Sequence, residues 1–214
     1  MPAIDFAQVF IAFIVLLFSL TVHETAHAWT ADRLGDPTAR LAGRVSLNPV
    51  VHADLIGTVL FPLLSLVGGI PLIGWAKPVP VNLGRLRRGR TDYVLVAAAG
   101  PASNLLLALV AAAVLAVMPW ESLLTGSRDV ATPLFTLLSR AVTLNVLLAV
   151  FNMLLIPPLD GGNVLAGLLP RPIAMRYDAL VRPYGFMLLY ALMLTRGFEV
   201  LVDAPARFIL SWLR

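Results

Sequence analysis

The sequence His23-Glu24-Thr25-Ala26-His27 has the residue types and the spacing of a metal-binding helix. Two residues four positions apart on a helix share a face, so both imidazoles can bind one metal ion. Glu24 then lies beside a water molecule at that metal and can accept its proton. The simpler alternative is that these side chains only reach from a helix end into water. Ionisable groups in an apolar helix are costly unless they are paired or ligated, which favours the metal site.

A zinc ion held by two histidines needs a third protein ligand. The chain has no cysteine and three histidines, so few donors are left. Asp160 is the best candidate, because Pro157-Pro158 must end the preceding helix and Gly161-Gly162 allow the backbone to approach another element closely. The alternative is an ordinary turn at residues 159–162, an interpretation that loses weight beside the histidine pair.

The elements that must position these residues are membrane spans. Of the 214 residues, 59% are hydrophobic and 13% are charged, and the mean hydropathy is +0.86. These values exclude a soluble globular fold and predict an all-α polytopic membrane protein with a single domain over residues 1–214. A helical span needs about 20 apolar residues. Four stretches qualify, at residues 4–31, 94–118, 134–156 and 184 to about 202.

A fifth apolar stretch, residues 55–75, is interrupted by Pro62, Gly68-Gly69 and Pro71, which a lipid-facing helix tolerates poorly. Basic residues precede and follow it: Arg33, Arg40, Arg44, and then Lys77, Arg85, Arg87, Arg88, Arg90. The positive-inside rule assigns both groups to the cytoplasmic side, so we expect a re-entrant hairpin here. Asp160 and the histidine pair then lie at the same membrane face, whereas a full span would separate them.

Short strands and three polar residues complete the expected surroundings of the site. Residues 44–48 and 77–83 alternate like strands, and Pro78 and Pro80 restrict the second to a sheet edge, with irregular loops as the alternative. His52 and Asp54 are an alternative metal site, a pair that orients a metal ligand, or a cap on the re-entrant helix. Asn104 is either a packing amide between helices or a neighbour of the metal.

Several segments together resemble a known family. The HExxH sequence at the inner end of an early span, with NMLLIPPLDGG at 152–162 closing a later one, resembles the site-2 protease family of intramembrane zinc metalloproteases. Further segments resemble signature regions of its compact bacterial branch: GRVSLNPVVHADLIGT at 43–58, GWAKPVPVNL at 74–83 and AGPASNLLLAL at 99–109.

The resemblance implies roles for individual residues. It implies Zn²⁺ bound by His23, His27 and Asp160, with Glu24 as the catalytic base. It also implies a substrate-binding role for Asn152, eight residues before the ligand aspartate. Family members usually have a proline three residues after that asparagine, and this chain has Leu155 there. The preceding helix is therefore expected to run one turn further toward Asp160.

The expected function is hydrolysis of peptide bonds within or near the transmembrane helices of single-span membrane proteins, as in regulated intramembrane proteolysis. The expected location is a bacterial inner membrane, with the active site toward the cytoplasm. A helical substrate must unwind, and an edge strand at Val79 and Val81 is expected to hold the unwound segment by strand addition. The alternatives are a catalytically silent adaptor of the same fold and a metal transporter. Arginines scattered between apolar segments predict no nucleic-acid partner.

Overall fold

The computed structural model describes residues 6–60, 75–126 and 128–213, and helices dominate these ranges. The first part contains α1 (Phe6–Arg33), α2 (Thr38–Leu41), α3 (Pro49–His52) and a π-helical segment at Leu55–Leu60. The middle contains α4 (Arg90–Val117), α5 (Trp120–Gly126) and α6 (Arg128–Asn152). The last part contains α7 (Asp160–Leu168), α8 (Arg171–Val181), a 3₁₀ turn (Arg182–Tyr184), α9 (Gly185–Leu194), a π-helical segment (Glu199–Asp203) and α10 (Ala204–Trp212).

Within the described ranges, three helical stretches are long and apolar enough to cross a membrane: Phe6–Arg33, Arg90–Val117 and Val130–Asn152. The count rises to four if Arg171–Leu194 and Glu199–Trp212, which bend by 88° at their break, form one span. The predicted all-α fold with about four spans is thereby confirmed at this level. The predicted last span, residues 184–202, differs in detail, because α9 ends at Leu194 and the chain bends before the next helical segment.

Small side chains let the long helices pack closely around α4. This helix contacts α1, α6 and α7. Its alanines meet β-branched residues of α6 and two residues of α10 in a buried cluster: Ala108, Ala111, Ala112, Val142, Val146, Ala206, Leu210. Small residues allow helix backbones to approach each other in lipid, where packing drives association. The result is a core in which α4 packs both against the helix that carries the two histidines and against α7.

The centre of the predicted hairpin, residues 61–74, lies outside the described residues. The described entrance to it begins at Asp54, whose Oδ1 accepts the N–H groups of Ile56 and Gly57 at 3.0 Å and 2.7 Å. Asp54 is therefore a helix cap in this structure. The exit begins at Trp75, whose N–H donates to the carbonyl of Gly57.

The two predicted β-strands are wrong, since the described ranges contain no strand. Residues 45–47 form a bend, and residues 77–83, the proline segment, have no regular secondary structure before a turn begins at residue 83. The prolines remove two donors, and the remaining N–H groups serve other partners. Lys77 donates to the carbonyl of His52, Val79 to Glu24 Oε2 and Asn82 to Asp36 Oδ2. The alternation of residue types was a weak signal for a strand, because it does not show which partners the backbone N–H and C=O groups bond.

Candidate metal centre

Two histidines of α1 and the first residue of α7 meet inside the protein. His23 and His27 are buried, with 4% and 8% of their surface exposed. Their Nε2 atoms are 3.0 Å apart. Asp160 Oδ2 lies 3.1 Å from the His23 Nε2 and 3.3 Å from the His27 Nε2. Residues far apart in sequence thus bring three donor atoms of the kinds that zinc prefers to a single point.

Hydrogen bonds determine which nitrogen of His23 carries the proton. Asn145 Nδ2 donates to the backbone carbonyl of Ala141 at 2.9 Å, so the Asn145 Oδ1 faces Asn104 and accepts its Nδ2–H at 2.8 Å. The Asn104 Oδ1 therefore faces His23 and accepts its Nδ1–H at 2.6 Å. Because a carbonyl oxygen can only accept, this chain of amides leaves a lone pair on the Nε2 of neutral His23.

His27 is held in the same tautomer by a backbone group of α4. Its Nδ1 donates to the carbonyl of Val96 at 2.7 Å. Neutral His27 therefore also has its lone pair on Nε2, facing the Nε2 of His23. Such outer hydrogen bonds are what orient metal-binding histidines in proteins.

The chemistry of these donors fits a zinc ion. Asp160 Oδ2 is buried and accepts no hydrogen bond from the described part of the chain, although both Nε2 atoms are near. Three electron-pair donors that face one point without a proton between them repel one another unless a cation joins them. Tetrahedral zinc with bonds of about 2.0–2.1 Å keeps its ligand atoms about 3.3 Å apart, close to the spacing here.

Glycines provide the space around these donors. A Cβ on Gly100 of α4 would lie 2.4 Å from His27 Nε2 and 2.5 Å from His23 Nε2. A Cβ on Gly161 would lie 2.3 Å from the carbonyl oxygen of Met153, so only glycine lets α7 start against the end of α6. Both glycines are therefore needed to keep Asp160 and the ring nitrogens within reach of one ion.

Comparisons with known proteins identify the family. Residues 11–133 match Peptidase family M50. The Bacillus subtilis (strain 168) protein named "Putative zinc metalloprotease YwhC" is 39% identical over 185 residues, which are 85% of this chain and 79% of that protein. This chain belongs to peptidase family M50, the family of the site-2 proteases.

Two mycobacterial relatives of the M50 chain share the name "Putative zinc metalloprotease Rip2". The Mycolicibacterium smegmatis protein is 30% identical over 184 residues, covering 84% of this chain and 64% of the relative. The Mycobacterium tuberculosis H37Rv protein is 32% identical over 195 residues, covering 88% and 69%. No solved structure matches the chain. With its apolar helices, the M50 chain is an integral membrane protein.

Glu24, between the two histidines of this M50 chain, has a backbone partner. Its Oε2 accepts the N–H of Val79 from the proline segment at 3.2 Å. Val81, the second expected substrate contact, is partly buried and packs against the cluster of Ala31, Leu86 and Val96. Asn152 ends α6, where its Nδ2 donates to the carbonyl of Leu148 at 2.9 Å. α6 ends at Asn152 and turns follow, so the extra helical turn expected from Leu155 is absent.

His52 is not part of the cluster of three donor atoms. It is buried and forms hydrogen bonds with the surrounding loops. Its Nε2 donates to the carbonyl of Ser46 at 2.8 Å, and its backbone carbonyl accepts the N–H of Lys77. Burial lowers the pKa of His52, the hydrogen bond to Ser46 partly opposes this shift, and the charge of Arg44 adds to it. The ring is therefore neutral near pH 7 and donates from Nε2.

Sequence reasoning missed three contributors to the M50 site: Asn145, the Val96 carbonyl and Gly100. Asn145 had a usable signal, because a lone amide inside an apolar stretch is costly without a partner. The Val96 carbonyl had none, since every residue has one. A glycine in an apolar helix indicates only that helices pack closely there, and the atoms that Gly100 faces come from another helix.

Proposed function

We propose that this M50 chain is a zinc-dependent endopeptidase that hydrolyses peptide bonds within or near the transmembrane helices of single-span membrane proteins. The observation that carries the proposal is the convergence of two imidazole nitrogens and a carboxylate oxygen at one point beside Glu24, among apolar helices. Its relatives, named as zinc metalloproteases, support the choice of metal and reaction.

The residues that would hold Zn²⁺ are His23, His27 and Asp160. When bound, zinc supplies Lewis-acid chemistry, which polarises the scissile carbonyl and acidifies water. Glu24 is the catalytic base: it accepts the proton of the attacking water and delivers it to the leaving nitrogen. The Val79 N–H holds the Glu24 carboxylate by its Oε2. Asn104 and the Val96 carbonyl keep the proton on Nδ1 of each histidine, so that both Nε2 atoms remain available.

A substrate helix must unwind before its carbonyls are accessible, since helical hydrogen bonds occupy them. We place the unwound segment beside the proline segment, with Val79 and Val81 as contacts. The support is that the backbone of the proline segment contacts Glu24 through the Val79 N–H. Asn152 is proposed as a further substrate contact, because it ends the helix that leads through residues 153–159 to Asp160.

We also propose that the site lies toward the cytoplasmic face of a bacterial inner membrane. The basic residues of 33–90 and of 171–182 flank the spans on the side where α1 ends and α7 begins, which supports this orientation under the positive-inside rule. Cleavage there would release the cytoplasmic part of a single-span protein, the outcome of regulated intramembrane proteolysis.

The test uses purified protein, reconstituted with a panel of single-span membrane proteins, and compares wild type with Glu24→Gln. The amide cannot accept a proton, so the variant should retain about one zinc per chain and lose about 10²–10⁴-fold in cleavage rate. Glu121→Gln is the matched control, because Glu121 is an exposed carboxylate of α5.

The two rival functions give different results in this assay. A silent adaptor would bind the single-span proteins without cleaving them in either form. A metal transporter would move zinc across the vesicle membrane. Cleavage by Glu24→Gln within tenfold of wild type would remove Glu24 from the mechanism. Removal of zinc with a chelator should abolish cleavage, and added zinc should restore it.

A further inference from the structure

Side-chain and backbone hydrogen bonds connect α1, the loop before the hairpin and the proline segment in a closed ring. On α1, the hydroxyl of Thr25 donates to the carbonyl of Ser46 at 2.6 Å. The His52 Nε2 donates to the same carbonyl at 2.8 Å. One backbone oxygen thus joins the helix that carries Glu24 to the imidazole of α3.

The ring of hydrogen bonds continues from His52 to the proline segment through the backbone N–H and carbonyl of Lys77. The Lys77 N–H donates to the carbonyl of His52 at 2.8 Å. The Lys77 carbonyl accepts from the guanidinium of Arg44, whose Nη2 also faces His52 Nδ1 at 3.5 Å. His52 and Arg44 are 2% and 5% exposed. Water therefore competes little for these contacts, and removing either side chain leaves its buried partners with fewer hydrogen bonds.

The ring closes on the catalytic base. Two residues after Lys77, the N–H of Val79 donates to Glu24 Oε2 at 3.2 Å. Pro78 and Pro80 have no N–H, so within residues 77–80 only the Lys77 and Val79 amides can donate. A glutamate side chain has several rotatable bonds and loses orientation without a fixed partner.

We propose that His52 is a positioning residue for catalysis: together with Arg44 it holds the Val79 N–H against the Glu24 carboxylate and thereby orients the base. The proposal rests on the proposed function, since it assigns the base to Glu24. His52 acts through the backbone of the proline segment and touches neither metal nor substrate. Its removal should therefore lower kcat by a larger factor than it raises KM and should leave zinc binding intact.

The kinetic test is a double-mutant cycle between His52→Ala and Val79→Pro. The proline removes the Val79 N–H that contacts Glu24 Oε2, in a segment that already has a proline on either side of this residue. A hydrogen bond to a charged group corresponds to about 10- to 100-fold in rate, and each variant should lose kcat by that factor. Because both variants break the same contact, the double variant should be no slower than Val79→Pro alone.

Two further variants separate positioning from folding. His52→Gln keeps a side-chain N–H for Ser46 and an acceptor for Arg44, so it should recover most of kcat. Val50→Ala, on the same short helix, changes a side chain that is 76% exposed and should behave as wild type. Losses that multiply in the double variant, or a loss confined to KM, would show that His52 does not act through Val79.

Hydrogen–deuterium exchange tests the same ring without any cleavage. In residues 76–82 only five amides exchange, because two positions are proline. Both the Lys77 and the Val79 amides should exchange faster in His52→Ala than in wild type, and only Val79 should respond strongly to Glu24→Ala. Unchanged Val79 exchange in His52→Ala overturns the inference. Failure of the proposed function is distinct: it would appear as no Glu24-dependent cleavage, with the exchange result unaffected.

Discussion

Gly100→Ala should destroy the metal site while leaving the helix that carries it intact. The added methyl carbon would lie 2.4 Å from His27 Nε2 and 2.5 Å from His23 Nε2. Non-bonded carbon and nitrogen atoms stay about 3.4 Å apart, so both rings must retreat by roughly 1 Å. The helix itself gains from the change, because alanine in a helix interior is more stable than glycine by about 0.5–1 kcal/mol.

The retreat is costly because each ring is held at its other nitrogen. The Nδ1 hydrogen bonds to Asn104 Oδ1 and to the Val96 carbonyl are 2.6 Å and 2.7 Å long. A movement of about 1 Å breaks or bends them, and such losses at metal sites cost about 10- to 100-fold in metal affinity. A misplacement of that size also costs about 100-fold in rate. We therefore expect zinc affinity to fall at least 10-fold and cleavage at least 100-fold.

Three measurements check this prediction on one preparation: zinc content after dialysis against a zinc buffer, cleavage of a single-span substrate, and helical circular dichroism with thermal unfolding. Ala102→Leu is the control, because it adds a larger side chain two residues away at an exposed position of α4. Full zinc occupancy and normal cleavage in Gly100→Ala, with an unchanged fold, would refute the proposed geometry of the three donor atoms.

Three other changes give further tests. Asn104→Leu removes the acceptor for the His23 proton and should weaken zinc binding about 10- to 100-fold, whereas Asn104→Asp keeps an acceptor and should lose less zinc affinity. Equal zinc titrations for the wild type and both variants would contradict the assigned tautomer of His23. Asp160→Ala should lose most of the metal, and zinc content equal to wild type would assign the third ligand to another residue. The chain has no cysteine, so single cysteines can be introduced in place of Arg88 and of Glu121. An impermeant thiol reagent added outside intact cells should label the cysteine at position 121 and should not label the one at position 88. Labelling at position 88 would contradict the re-entrant hairpin.

The amino-acid sequence alone was sufficient to predict the local features of the protein. Composition predicted an all-α membrane protein, and the described helices confirm it with three or four spans. The spacing of His23 and His27 placed both rings on one face because the period of a helix is a local property of the backbone. The absence of cysteine and the scarcity of histidine left carboxylates as the main candidates for the third ligand, and the proline and glycine pairs beside Asp160 favoured that residue.

The tertiary structure decided how those local features are used. The proline segment was predicted as a strand, but its N–H groups bind Glu24, the His52 carbonyl and Asp36, which come from 25 to 55 residues away in sequence. The proton position on His23 depends on Asn104, 81 residues later, and then on α6. Gly100 matters because α4 crosses α1 at that residue. Each of these contacts depends on the register between packed helices, and helix periodicity within a single segment carries no information about that register.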